Sequence, residues 1–241
     1  MGAAFYHPPF SLVAMSSDVH NTLIKICGLT READVLACVQ AGANAIGFVM
    51  YPPSARNVSP ERAGILATLL PPGTTPVLLF VNARLEDVQA ACQAVPNALL
   101  QFHGDESPAE CKRMAHAVNR PYWRAARIPT ENTTSFDLVK FAQDYSNAQA
   151  ILLDAHVDGY GGGGKTFNWS QLPPNVNAHL VLSGGLTPAN VTDGIRTLRP
   201  KALSLAVDVS SGVELDGQKG LKDVRKIQEF VAAVKAADAI E

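Results

Sequence analysis

No two of the four cysteines, Cys27, Cys38, Cys92 and Cys111, form a C-x-x-C pair. That excludes a recognisable zinc spacing, gives no sign of a metal, and suggests thiols kept reduced. No apolar run reaches the roughly 18 residues of a membrane span. No lysine or arginine precedes Lys25, so the first twenty residues lack the basic start of a signal peptide. Charge of one sign is scarce as well: 20 basic residues against 22 acidic ones leave a net charge of -2, with no footing for nucleic acid. The expectation is a cytoplasmic protein with neither nucleic-acid nor membrane partners.

What is present is a repeating unit. With 241 residues the chain is long for an ordinary domain but suits one closed barrel. Residues 1–20, with Pro8-Pro9 and Ser16-Ser17, read as a poorly ordered extension, and 21–241 as the barrel. Short apolar strands are expected at Leu23–Cys27, Ala45–Met50, Pro76–Val81, Ala98–Phe102, Tyr122–Ile128, Ala150–Asp154, His179–Ser183 and Ala202–Asp208. Amphipathic helices are expected at Arg31–Ala41, Pro60–Leu70, Arg84–Ala94, Pro108–Val118, Phe136–Tyr145, Pro188–Leu198 and Leu221–Ala237. Ser59-Pro60-Glu61 and Thr187-Pro188 are helix-start signals. This alternation, without a break in composition, predicts a single (β/α)₈ TIM barrel in the α/β class. An open doubly wound sheet is the alternative, but Gly28-Leu29-Thr30-Arg31 is not the glycine fingerprint expected after its first strand.

The stretch Gln149–Phe167 runs from a buried strand through Asp154 into a glycine-rich loop. Gly159 to Thr166 satisfies the phosphate-loop pattern G-x-x-x-x-G-K-[ST] letter for letter. Context argues against that reading. Residues 155–158 separate the strand from the pattern, and Pro173-Pro174 follows too soon for the helix whose N-terminus would hold phosphate. A lid beside Asp154 is the better expectation.

In a barrel of this type, chemistry gathers where strands end. Those ends carry Cys27, the loop with Arg56, Asn82, His103, Arg127, Asp154, Ser183-Gly184-Gly185 and Asp208 to Gly212. Any one polar residue can end a strand, but together they put a thiol, carboxylates, an imidazole and guanidinium groups on one face. Gly184 and Gly185 let backbone N–H groups approach an anion, and Ser210, Ser211 and Gly212 open a second turn facing the same place. Paired turns after strands seven and eight are a recurrent phosphate site.

Six segments, in order, resemble the phosphoribosylanthranilate isomerase family. They are Lys25-Ile26-Cys27-Gly28-Leu29-Thr30, Ser54 to Ser59, Gln101 to Glu106, Leu152-Leu153-Asp154 with Gly162 to Trp169, Ser183 to Leu186, and Val207 to Glu214. The resemblance implies a cofactor-free barrel isomerase of tryptophan biosynthesis acting on a small phosphoribosyl anthranilate, as a monomer or homodimer. It implies Cys27 as general base, Asp154 as general acid and Arg56 on the substrate carboxylate. His103 and Asp208 would position substrate, and Gly184, Gly185, Ser210, Ser211 and Gly212 would hold its phosphate. Ala55 stands where proline is common in the family, and Phe102 where an aliphatic residue is usual.

The implied Amadori rearrangement needs one acid and one base with separated proton affinities. Lys25, on the same strand face as Cys27, is expected to lower the thiol pKa and favour the thiolate. The sibling isomerase of histidine biosynthesis is disfavoured, because it ends strand one on aspartate. A nucleotide hydrolase or a catalytically silent barrel remain the readings from other classes.

Overall fold

Side chains in a strand alternate between its two faces, so a strand closed into a barrel needs two kinds of apolar surface. In the computed structural model, which describes residues 21–129, 136–155, 168–169 and 172–239, that is what the sequence supplies. The parallel strands β1 (Leu23–Cys27), β2 (Ala45–Val49), β3 (Thr75–Phe80), β4 (Leu99–Phe102), β5 (Tyr122–Ile128), β6 (Ala150–Ala155), β7 (His179–Leu182) and β8 (Ser204–Val209) close in chain order. Pairing of β1 with β8, Lys25 opposite Asp208, completes the ring. The expected barrel is borne out, and closure leaves no sheet edge open.

Outward residues such as Ile24, Ile26, Phe48, Phe80, Phe102 and Leu153 pack beneath the helices. Inward residues form a separate cluster of Leu23, Ala45, Val77, Leu99, Trp123, Ala125, Ala150, Leu152, Val181 and Ala206. The four alanines leave room for Trp123, whose indole is fully buried. Above that plug the inward positions turn polar: Lys25, Gln101 and Asp208 first, then Cys27, His103 and Asp154. Phe102, unusual for the family, faces out, with its ring 5.5 Å from Tyr122 and 6.3 Å from Phe80. It therefore belongs to the packing under the helices and not to the mouth.

The helices are α1 (Glu32–Ala41), α2 (Pro60–Ala67), α3 (Leu85–Ala94), α4 (Pro108–Val118), α5 (Leu138–Asp144), α6 (Val191–Leu198) and α7 (Val224–Asp238). Ser59 caps α2 by accepting from the Arg62 N–H, as the Ser-Pro-Glu signal predicts. Among the helices, three boundaries lie three residues from expectation. α2 stops at Ala67 because Leu69 and Leu70 tighten into i→i+3 bonds ahead of Pro71, which disfavours helix at the residue before it. α6 starts at Val191, not Pro188, because the Asn190 side chain ties the preceding turn together: its Oδ1 accepts from the Thr187 N–H and its Nδ2 donates to the Gly185 carbonyl. α7 starts at Val224, capped by Asp223, because Lys222 is held in a bridge with Glu214. Among the described residues no helix is long and apolar enough to cross a membrane. The proposed extension, residues 1–20, and the proposed lid, Gly159 to Thr166, lie outside the described residues.

Candidate active site

Cys27 ends β1 with its side chain turned inward and 4% exposed. Its neighbour across the β1–β2 ladder is Gly47, where a Cβ would stand 2.6 Å from the Cys27 Sγ and 3.0 Å from its Cα. The missing side chain is thus what houses the sulfur. One layer down, Lys25 donates to Asp208 at 2.8 Å, with both side chains buried. Burial pushes the Cys27 thiol up from its ordinary 9.0, Lys25 pulls it down, and the Asp208 carboxylate pushes it up again. The pull of Lys25 has the expected sign, but burial outweighs it and the thiol pKa is raised overall. Lys25 stays an ammonium: burial works against its charge, but Asp208 and Cys27 outweigh burial and raise its pKa. The other cysteines are buried and inert, with Cys38 and Cys111 pushed by desolvation to about 12 and Cys92 to about 11.

Asp154, next to last in β6, is held by His103, whose Nε2 lies 2.9 Å from the Asp154 Oδ2. On the other side of that ring the Gln101 Nε2 lies 3.0 Å from Nδ1. Behind the imidazole, a buried support fixes the loop. Glu106 accepts from the N–H groups of Asn82 and Gly104 at 2.7 and 2.9 Å. Arg124, outward on β5, donates to the carbonyls of Phe102 and Gly104, each at 3.0 Å. Gly104 must be glycine here, because a Cβ would come within 2.3 Å of the Asn82 side chain. Arg127 stands beside Asp154 in the β5–β6 register and pairs with Asp105 at the rim.

Arg56 crosses over Gly28, where a Cβ would sit 2.5 Å from its Cδ, and Gly28 has the left-handed φ of 80°. Its Nε and Nη2 grip both oxygens of Glu214 at 2.7 and 2.8 Å. The guanidinium is therefore fixed by a bidentate ion pair. Lys222 joins from the other side, its Nζ 3.0 Å from Glu214 and 2.9 Å from the Ser210 carbonyl. Although burial opposes a charge on Glu214, Arg56 and Lys222 prevail and hold its carboxyl below the ordinary value. Burial pushes the Lys222 ammonium down, against the pull of Glu214.

The two glycine turns meet. Gly184 and Gly185 have φ of 77° and 66°, and a Cβ on Gly184 would lie 2.5 Å from the Ala155 nitrogen and 3.0 Å from the Asp154 Oδ1. After β8, residues Ser211–Val213 form a 3-10 turn in which Gly212 presses on the β7 turn: a Cβ there would be 1.8 Å from the Leu186 carbonyl oxygen. Ser210 is placed differently from a free phosphate ligand, since its hydroxyl donates to the Cys27 carbonyl at 3.0 Å.

A closed barrel that gathers a buried thiol, a carboxylate on an imidazole and a fixed guanidinium at the C-terminal ends of its strands defines an acid–base barrel enzyme. Residues 24–233 match the family model described as N-(5'phosphoribosyl)anthranilate (PRA) isomerase. The chain belongs to that family, the isomerases of tryptophan biosynthesis. Relatives named N-(5'-phosphoribosyl)anthranilate isomerase from Methylibium petroleiphilum and Leptothrix cholodnii are each 58% identical over 91% of this chain, covering 96% and 93% of the relative. The crystal structure of the Thermotoga maritima phosphoribosyl anthranilate isomerase is 38% identical with a TM-score of 0.77, covering 90% of this chain and 100% of that one. A family structure in complex with reduced 1-(o-carboxyphenylamino)-1-deoxyribulose 5-phosphate is 35% identical with a TM-score of 0.74 over 90% of this chain and all (100%) of that one.

Sequence reasoning overlooked Gln101, Glu214 and Lys222 as parts of the site. For Gln101 a signal existed, because it shares the inward face with His103 two residues on. Glu214 closes the Val207 to Glu214 segment that resembles the family, but nothing local marks its partners, and Lys222 was expected inside the helix Leu221–Ala237.

Proposed function

We propose that this chain converts N-(5-phosphoribosyl)anthranilate to 1-(2-carboxyphenylamino)-1-deoxyribulose 5-phosphate, with Asp154 as acid and Cys27 as base. The observation that carries the reading is an inward thiol ending β1 and an inward carboxylate next to last in β6, on the rim of one barrel of this family. Asp154 gives a proton to the furanose oxygen, the ring opens, and the aryl amine nitrogen forms a Schiff base at C1′. Cys27 then takes the C2′ proton, giving an enolamine that tautomerises to the ketone. One proton is given and one taken, so the reaction needs no electron acceptor or cofactor. Lys25 stabilises the thiolate as it forms, which offsets part of the cost of its burial.

Arg56, with two of its donors on Glu214, presents the rest of its fork to the anthranilate carboxylate. His103 and Asp208 act by positioning, the first on Asp154 and the second on Lys25. The turns at Gly184-Gly185 and Ser210-Ser211-Gly212 take the 5′-phosphate through backbone N–H groups. The protein works on this small molecule in the cytoplasm as a monomer or homodimer. The Thermotoga maritima isomerase is described as dimeric, and the described cysteines here are all free, as in a reducing compartment.

The test is turnover of freshly generated phosphoribosylanthranilate, followed by loss of its anthranilate-type fluorescence. The parent turns over, and Cys27→Ser and Asp154→Asn each lose about 10²- to 10⁴-fold in kcat. A folded but inactive parent, or full activity in either variant, overturns the proposal.

A further inference from the structure

We propose that Lys222 is a positioning residue: it sets the direction of the peptide between Ser210 and Ser211, and so aims the Ser211 N–H at the substrate's 5′-phosphate. Lys222 does not reach that phosphate itself, because its side chain is fully buried against the turn after β8. Its Nζ lies 2.9 Å from the Ser210 carbonyl oxygen, 3.0 Å from the Glu214 Oε1 and 3.4 Å from the Ser210 hydroxyl. Three acceptors match the three hydrogens of an ammonium group.

Neither neighbouring element fixes where the Ser210 carbonyl points. The ψ of Ser210 is -77°, which continues neither the strand before it nor the 3-10 turn after it. Within the turn, the Val213 N–H reaches the same oxygen only at 3.5 Å, beyond the usual range of a hydrogen bond. Lys222, at 2.9 Å, has the firmer hold. A peptide unit is planar and trans, so its N–H points opposite to its C=O. Drawing the Ser210 oxygen onto the buried lysine therefore turns the Ser211 N–H away from the interior. Among the described residues neither that N–H nor the next, on Gly212, has an acceptor. A donor on the oxygen of a peptide also polarises the unit, which makes its N–H a better donor in turn.

The lysine is itself anchored on both sides of its Cα. Its own N–H donates to the Asp34 Oδ2 at 3.3 Å, and Arg31 holds both oxygens of that carboxylate at 2.8 and 2.9 Å. The following N–H, on Asp223, donates to the Val213 carbonyl at 2.9 Å. Lys222 is thus fastened to α1 and to the turn it grips. The remaining polar contact of Ser210, from its hydroxyl to the Cys27 carbonyl, fixes the side chain and leaves the carbonyl to Lys222.

The inference rests on the reading of the turns after β7 and β8 as the phosphate site, and its test separates the two. Titration calorimetry compares reduced 1-(o-carboxyphenylamino)-1-deoxyribulose 5-phosphate with the same molecule lacking its phosphate, and the ratio of the two affinities is the phosphate's own contribution. In Lys222→Met that ratio falls about tenfold, the share of one hydrogen bond to a charged group, while the phosphate-free compound binds as it does to the parent. Arg56 still neutralises Glu214 in that variant, which keeps the fold. Lys222→Gln, one bond shorter but still a donor, lowers the ratio by less and decides the matter if the methionine variant does not fold. A structural role alone, or one exerted through Glu214 on Arg56, weakens both compounds alike; that result, or an unchanged ratio in the folded variants, overturns the proposal. Crystals of the phosphorylated complex read the direction itself: the Ser211 nitrogen lies about 3 Å from a phosphate oxygen in the parent and has turned away in Lys222→Met. A ratio that falls with this contact intact assigns the effect to charge and overturns the aiming role. A parent that binds both compounds equally overturns the phosphate reading, and the role of Lys222 with it.

Discussion

The thiol of Cys27 sits where β2 supplies no side chain, and that gap sets its geometry. Gly47→Ala places a methyl group 2.6 Å from the sulfur, with the Cys27 backbone close behind, so the sulfur has to move. The expected cost is about 1–3 kcal/mol of stability from overpacking, with kcat falling more than KM rises. Denaturant unfolding and steady-state kinetics check both; a variant with normal kcat would show that the sulfur's position is not critical. Lys25 and Asp208 act on the same atom with opposite signs. Lys25→Met removes the pull that lowers the thiol, so the thiol titrates at higher pH, and the stranded Asp208 costs about 3–5 kcal/mol. Asp208→Asn shifts the thiol the other way. Thiolate absorbance against pH reads both, and a thiol that titrates identically in parent and variants contradicts the electrostatic account. At this scale the sequence was informative: Cys27, His103, Asp154 and Lys25 were all found as inward residues at or near strand ends.

Between elements, the turns after β2, β7 and β8 are clasped by groups far apart in sequence, and this was the part that could not be read. Arg56 meets Glu214 across 158 positions, so no local pattern announces the pair. The clasp has a pH signature. Because the folded Glu214 pKa is below the ordinary 4.5, its stabilisation is present above that value and is lost as pH falls through the depressed one. Glu214→Gln leaves Arg56 and Lys222 buried without their carboxylate and costs about 3–5 kcal/mol at neutral pH. Unfolding measured from pH 7 downward should show parent and variant converging below about pH 4.5, and a constant gap would contradict the clasp. Gly212→Ala forces its new methyl into the Leu186 carbonyl, 1.8 Å away, and pries the β7 and β8 turns apart. Its expected effect is a rise of tenfold or more in the KM for the phosphorylated substrate, about 1.4 kcal/mol of lost binding, with little change in kcat. The helix boundaries that differ belong to the same scale: Asn190 ties up its own turn through Thr187 and Gly185, Lys222 reaches Asp34 across 188 positions, and both override local start signals.

For the molecule as a whole, the alternation of eight short apolar strands with helices was sufficient to predict the barrel. Each strand has inward and outward sets, and eight of them close in chain order. The polar inward positions escape that pattern and fall in the upper layers of the ring, which is why strand ends pointed to the site without alignment or ligand. Their mutual contacts did not follow from the pattern, because a ring brings together residues whose sequence separation varies from two, for Gln101 and His103, to 183, for Lys25 and Asp208. The central claim concerns where a substrate sits in this ring, and the most direct measurement is a crystal structure with reduced 1-(o-carboxyphenylamino)-1-deoxyribulose 5-phosphate bound. The account predicts the sugar chain between the Cys27 sulfur and the Asp154 carboxylate, the aryl carboxylate on Arg56 and the phosphate on Gly184, Gly185 and Gly212. A sugar bound away from Cys27, with another side chain against C2′, would contradict it.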